Sequence, residues 1–404
     1  LRKIHEQCKL TQFVKGGDLY KPFESIIQLA AISFLLMSCS GQPSKWSADE
    51  PFTTQIVAGN AEGSVFKVVT LKGVQDQKTL RGQVVEFFLS PGEKGNQLVG
   101  QAPVARFIQG RDGVHIPADV LSLQMVTLYH HMQSLKEFEE KLSDEAVGTW
   151  PRKIGLQVNS KDPDTRYNNA FYNQKLETLY FVPYTDSSLP IPLNPGVIAH
   201  EYFHSYFAKF VLKPLAAQKK VKRDLYTEYV LKSLNEGLAD TWGWIYTGDP
   251  DFLSLSLPRL NGMRKLESWD IRKTQIKPEA ELKTETQFAD NSCEDFDSCE
   301  MPMQDLVKKA YENGTVIAQL FKDMITFDQI ENKKAKSDSQ IFAGRSILEL
   351  LEQIKKSVDS GSLSLENTVL LWSKLLGELS NSQCEVLKSA ISTDSIRDQI
   401  CSNR

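Results

Sequence analysis

Two runs set well apart in the chain constrain its fold more than anything else: VIAHEYFHSYF, carrying His200, Glu201 and His204, and SLNEGLADTWGWIY, carrying Glu236 and Asp240. Residues four apart in a helix share a face, so His200 and His204 can aim one ring nitrogen each at a single point while Glu201 stands beside it. Two imidazoles with an adjacent carboxylate suit a divalent metal and its water. Catalytic zinc usually takes three protein ligands and leaves a fourth position to water, whose pKa falls to about 7. A third ligand is therefore needed. A further histidine after a glycine is excluded, because Phe207 and Phe210 occupy the positions where that extended motif would place them. Glu236 is the better candidate. Apolar residues around it recur at helical spacing, and Asp240 falls one turn beyond it on the same face. Asp240 can then orient a ligand histidine and fix its tautomer.

This pairing of HExxH with NExxxD resembles the gluzincin metallopeptidases, specifically their thermolysin-like branch, in which the glutamate of the second motif is the third zinc ligand. Tyr167 to Asn173, YNNAFYN, is similar to the family's edge-strand motif. The resemblance implies that Asn169 and Ala170 hydrogen-bond the substrate backbone and that Tyr172 takes a family tryptophan's place at the cleft wall. An extended peptide adding to a strand edge gains main-chain hydrogen bonds whatever its sequence, which suits a protein-degrading enzyme. YENGTVIAQLF resembles a segment whose histidine stabilises the oxyanion, and here that position is Tyr311, a phenol that can also donate. Arg264, in NGMRKLESW, is a loose match for a family arginine that contacts substrate carbonyls. Its plainer reading is a solvated side chain.

The fold expected is α+β: a small β-rich unit over residues 51–117, then a thermolysin-like zinc metallopeptidase domain over 118–404 with a mostly helical C-terminal half. Short alternating runs such as SVFKVVTL and QVVEFFL, parted by glycine-containing turns, carry the first expectation. Leu121, Met125, Leu128, Tyr129, Met132 and Leu135 carry a long helix over 118–142, which the resemblance places just before the edge strand. His130 and His131 lie on it, but adjacent helical residues point about 100° apart and chelate poorly. The basic run KPLAAQKKVKR, from Lys213, is read as an insertion with a solvated face, and the acidic CEDFDSCE as a loop without a defined calcium cage.

Residues 1–38 read as a leader and signal peptide. Ile26 to Met37 is an apolar run too short to span a bilayer, and it ends in LMSC, which resembles a bacterial lipobox with Cys39 as the lipidated first residue. An ordinary cleaved signal and a short buried helix are the other readings. With no Met before the run, translation is expected to start later, near Leu19. Residues 39–50 have the composition of a tether. The expected location is the cell envelope, lipid-anchored and in the outer membrane where there are two membranes, otherwise secreted. With Cys8 in the leader, four cysteines remain, and local pairing of Cys293 with Cys299 and Cys384 with Cys401 is preferred among three connectivities. A net charge of −4 without a basic recognition module gives no footprint for nucleic acid.

The activity these readings imply is zinc-dependent endopeptidase action on extracytoplasmic proteins. Zn2+ would be held by His200, His204 and Glu236, Glu201 would be the general base, and the partners would be a peptide substrate and a membrane. A noncatalytic surface lipoprotein with a peptidase fold is the alternative, against which Glu201 stands because a scaffold needs no base. The aminopeptidase branch is disfavoured by the lack of a GxMEN motif upstream.

Overall fold

The computed structural model describes residues 51–401 except 61–62, 111, 144–147, 160–165, 219–223, 261, 271–274, 288–302, 332 and 334. The leader, Cys39, the tether, Cys293, Cys299 and the acidic loop lie outside the described residues, which all belong to one compact unit.

The architecture is α+β. Strands β1 (Phe52–Asn60) and β2 (Gly63–Leu71) form an antiparallel hairpin. β3 (Val74–Asp76) and β4 (Arg81–Gly82) make a small ribbon. β5 (Val85–Lys94), β6 (Gln97–Gln101), β7 (Phe107–Gln109) and β8 (His115–Pro117) complete the first stretch. They divide between two sheets. One runs β2-β1-β8-β7, while β5 and β6 join β9 (Arg152–Leu156), β10 (Ala170–Asn173) and β11 (Thr178–Phe181) in a sheet ordered β10-β11-β9-β5-β6. β9 lies parallel to both β11 and β5, so the 51–117 stretch shares its larger sheet with later strands.

Between the strands runs α1 (Val120–Leu142), capped by Asp119, whose carboxylate accepts the Ser122 N–H at 2.7 Å. The two motif helices are α2 (Pro195–Phe207) and α4 (Leu225–Thr247). α2 begins at a buried Asn194 whose Oδ1 accepts the N–H groups of Gly196 and Val197, while its Nδ2 donates to Phe252 O and Ser256 Oγ. Pro195 at the first turn loses no helical bond. After Phe207 the chain widens into a π turn, Ala208–Leu212, and continues as α3 (Lys213–Ala217). The start of the basic run is therefore an extension of the motif helix. Leu215 is buried and Lys213 pairs with Glu177, whereas residues 219–223 lie outside the described set.

The C-terminal half is helical: α5 (Glu279–Gln287), α6 (Met303–Glu331), α7 (Lys336–Ser360), α8 (Leu365–Leu375), α9 (Asn381–Ala390) and α10 (Asp394–Arg397). Cys384 and Cys401 are bonded, with Cα atoms 6.2 Å apart, which is the local pairing expected. Trp242, fully buried on α4, packs against Phe138 of α1 and Phe203 and Tyr206 of α2, so one side chain ties three helices together. Truncating such a residue costs about 3–5 kcal/mol. Among the described residues no helix is long and apolar enough to cross a membrane.

Candidate metal and active site

α2 and α4 cross so that the predicted side chains meet in a cleft of about 390 Å³. His200 Nε2 and His204 Nε2 are 3.1 Å apart. Glu236 brings its Oε2 to 3.5 Å from the first and its Oε1 to 3.8 Å from the second. Tetrahedral bonds of about 2.05 Å to nitrogen would separate neighbouring ligand atoms by roughly 3.3 Å, so the spacing fits one small cation. His200, Glu201 and His204 likewise offer ligand atoms within 4.8 Å of one another. Each outer ring nitrogen faces an oxygen: His200 Nδ1 lies 3.0 Å from Asp240 Oδ1, and His204 Nδ1 is hydrogen-bonded to Asn235 Oδ1 at 2.9 Å. Both outer partners are acceptors, which places the ring protons outward and turns the Nε2 lone pairs on each other and on a carboxylate.

Such a convergence of acceptors needs a cation. Without a metal the nearest one is a proton on His200. Burial works against that charge, but hydrogen bonding to Asp240 and Glu236 outweighs it and raises the pKa to about 9. His204 is pushed down to about 4, chiefly by burial, and remains a neutral acceptor at pH 7. Burial opposes ionisation of Glu236, yet the neighbouring histidines, Lys232 and Arg264 hold its carboxyl well below the usual range. Glu201 is different. Its Oε2 is buried without a hydrogen-bond partner, and burial lifts its pKa to about 8. Burial thus keeps this carboxyl largely protonated near pH 7, and a cation beside it would favour the carboxylate, the form that can accept a proton.

Asn169, Ala170 and Tyr172 line the opposite side of the cleft. β10 is the edge of its sheet and pairs only with β11. Asn169 O accepts the Val182 N–H at 3.2 Å, and Ala170 lies opposite Phe181. By antiparallel alternation, the carbonyl of Ala170 and the backbone groups of Tyr172 then turn away from β11. The Ala170 N–H folds back on Asn169 Oδ1 at 2.9 Å.

Tyr311 stands on α6 over the far wall, and two glycines put it there. An added Cβ on Gly237 would lie 2.4 Å from Gly314 O, and one on Gly314 would lie 2.8 Å from Ser233 O. Only glycine at both positions lets α4 and α6 approach this closely. Gly314 is otherwise a poor helix residue, at a cost of about 1 kcal/mol. The charge of Glu236, then burial, pushes the Tyr311 phenol up to about 12.

One expectation is overturned. Arg264 is not a freely solvated side chain: it is only 14% exposed, donates to Asp240 Oδ1 at 2.8 Å and Oδ2 at 3.1 Å and to Glu236 Oε2 at 3.1 Å, and lies 4.8 Å from the centroid of the Tyr311 ring. The loop after α4 folds back over the motif carboxylates, whose joint charge outweighs the desolvation of the guanidinium. Asn235 and Lys232 were not singled out from the sequence. The asparagine of NExxxD was the available signal for the first, and position one turn before Glu236 for the second. His130 and His131 take no part. His131 Nδ1 lies 2.9 Å from Tyr246 Oη, and burial lowers its pKa to about 3.

No protein-family model matches the chain, and no match to a curated protein was found.

Proposed function

We propose that the protein is a zinc-dependent endopeptidase of the thermolysin-like gluzincin type, held at the cell envelope through a lipid on Cys39. The observation that carries the reading is the inward convergence of His200 Nε2, His204 Nε2 and the Glu236 carboxylate, with Asp240 and Asn235 behind the rings and the unpartnered Glu201 carboxyl beside them. His200, His204 and Glu236 would hold the zinc, leaving Glu201 outside the ligand set because its task is proton transfer. Bound there, zinc would lower the pKa of a water molecule and polarise a peptide carbonyl.

The residues of the chain do the rest. Glu201 takes the proton of the attacking water and delivers it to the leaving amine. Tyr311 donates its hydroxyl hydrogen to the oxygen on which negative charge develops. The outward-turned backbone of β10 receives the substrate as an added strand, so recognition falls on main-chain groups. Apolar Val197, Leu253 and Leu257 line the same cleft and favour an apolar side chain there.

Glu201→Gln removes the base and keeps the shape. The expected result is one bound zinc per chain, by metal analysis, together with loss of nearly all cleavage of an unfolded protein such as casein. Cleavage equal to wild type would overturn the mechanism, and absence of bound metal in both proteins would overturn the zinc site.

A further inference from the structure

Three large apolar side chains stand open to solvent within one short stretch of β2: Val65, Phe66 and Val68 are 65%, 57% and 51% exposed. β2 is the edge of its sheet and pairs with β1 alone. Phe66 and Val68 fall on one face of the strand and Val65 on the other, so apolar groups flank the bare edge on both sides. Further along, Val69 and Leu71 are buried, and the exposed stretch is the part of β2 that the core leaves uncovered.

A patch of this kind marks contact with another protein or with a membrane. Charge is the first reason to favour lipid. Lys67 stands exposed in the middle of β2, where a second β2 paired antiparallel over its whole length would set two ammonium groups opposite each other. The same ammonium suits an anionic headgroup, and no Asp or Glu follows Glu62 before Asp76. The chain ahead of β1 is the second reason. Twelve residues, 40–51, join Cys39 to β1, and a flexible tether of that length reaches about 20 Å on average and about 40 Å fully drawn out. Phe66 pairs with Val57 of β1, roughly 17 Å along the strand from Phe52. A lipid on Cys39 therefore holds the patch within reach of the bilayer that carries it.

We infer that the edge of β2, through Val65, Phe66, Lys67 and Val68, seats the body of the protein on an anionic phospholipid surface, as a second membrane contact besides Cys39. The inference rests on the lipid-anchor part of the reading above. Unpaired backbone groups along the edge keep the strand in the hydrated headgroup layer, because open sheet edges are not tolerated in hydrocarbon. Gly59 on the same hairpin lies so near Leu189 that an added Cβ would be 2.8 Å from its Cδ2, and Ile191, two residues on, lines the cleft. Seating the hairpin thus also sets how the cleft stands to the lipid.

The test takes the full chain from cell membranes into vesicles of phosphatidylethanolamine and phosphatidylglycerol whose acyl chains carry bromine near the headgroup. Phe66→Trp puts an indole in the patch, and Val99→Trp puts one at an exposed position of β6 in the other sheet, with wild-type emission subtracted from each. The bromolipid is expected to quench the added emission of Phe66→Trp about twofold or more and that of Val99→Trp little. Adding Val68→Asp to Phe66→Trp should remove most of the quenching, as should phosphatidylcholine in place of the anionic mixture. Equal quenching at the two sites, or quenching that survives Val68→Asp or the neutral lipid, overturns the inference. So does a blue shift of the added emission that grows with protein concentration in the absence of lipid, which would mean that a second copy covers the patch. Recovery of the chain as a soluble protein with an unmodified terminus overturns the anchor reading instead. The same vesicles added to that soluble chain then decide the inference by themselves: quenching of Phe66→Trp upholds it and lack of quenching overturns it.

Discussion

Arg264 grips both carboxylate oxygens of Asp240, its Nη2 2.8 Å from Oδ1 and its Nε 3.1 Å from Oδ2. Because Oδ1 also lies 3.0 Å from His200 Nδ1, one carboxylate holds both the histidine ring and the arginine over the site. Asp240→Ala should thus have two separable effects. Loss of the histidine's partner should weaken zinc affinity by roughly 10 to 100 fold. Leaving Arg264 buried without its main partner should cost about 3–5 kcal/mol of stability. Metal titration and denaturant unfolding measure the two. Unchanged zinc affinity would remove the orienting role from Asp240.

Protons and metal compete for the same atoms. In the metal-free protein His200 keeps a proton until about pH 9, so zinc must displace it, and affinity should rise about tenfold per pH unit from neutrality toward 9 and then level off. Zinc titration in buffers of different ionisation enthalpy should register about one proton released per ion near pH 7, and more where Glu201 also ionises.

The same groups set the stability of the metal-free chain. His200 has its pKa raised from 6.5 and Glu201 from 4.5, so the stability contributed by each is complete below the unfolded value and is lost as pH climbs through about 9 and about 8 respectively. Above pH 6.5 His204 is neutral both folded and unfolded and contributes nothing to the slope. The melting temperature of the metal-free protein should therefore fall between pH 6.5 and 9 relative to the zinc-loaded form. A Tm gap between the two forms that does not widen with pH would mean that the proton on His200 is not the species zinc replaces.

The crossing of α4 over α6 offers a structural test. Gly237→Ala places a methyl 2.4 Å from Gly314 O, a backbone atom that cannot turn aside. Overpacking of this kind costs about 1–3 kcal/mol, and relief requires the helices to separate. Since Glu236 is the neighbour of Gly237 and Tyr311 lies one turn before Gly314, separation widens the gap between ligand and phenol. The variant should unfold earlier and lose catalytic rate more than zinc. Wild-type melting and turnover would show that the contact has room to spare.

Which parts of this arrangement were legible in the sequence follows from range. His200, Glu201 and His204, and equally Glu236 and Asp240, lie within single helices, where a spacing of four fixes the shared face without knowledge of the rest of the fold. β10 was legible through the run YNNAFYN. Arg264 was not, because it reaches the site from an irregular loop, and nothing in NGMRKLESW says that Asp240 and Glu236 wait in front of it. Nor does any local pattern reveal that β5 pairs in parallel with β9, since that register depends on a connection running through a whole helix. The run from Lys213 reads as an insertion with a solvated face, which leaves open how it begins: after the π turn the helix continues past Pro214 and buries Leu215, while Ala216 and Ala217 stay exposed.

Tyr311 carries the sharpest chemical prediction, because its ring and its hydroxyl have different tasks. The ring lies 4.8 Å from the Arg264 guanidinium, a contact that phenylalanine preserves, so Tyr311→Phe tests the hydroxyl alone. If the phenol donates to the developing oxyanion, kcat should fall roughly 10² to 10³ fold with little change in KM, because that hydrogen bond strengthens mainly in the transition state. The alkaline limb tests the same donor. An imidazolium gives up its proton near neutrality, whereas this phenol is pushed up to about 12, first by the charge of Glu236 and then by burial. A metal that neutralises Glu236 draws the value back toward the ordinary phenol pKa of about 10, which still leaves the proton in place through pH 9. Activity should accordingly persist into the alkaline range in wild type. A Tyr311→Phe protein with wild-type kcat and an unchanged alkaline limb would reduce Tyr311 to a packing partner of Arg264.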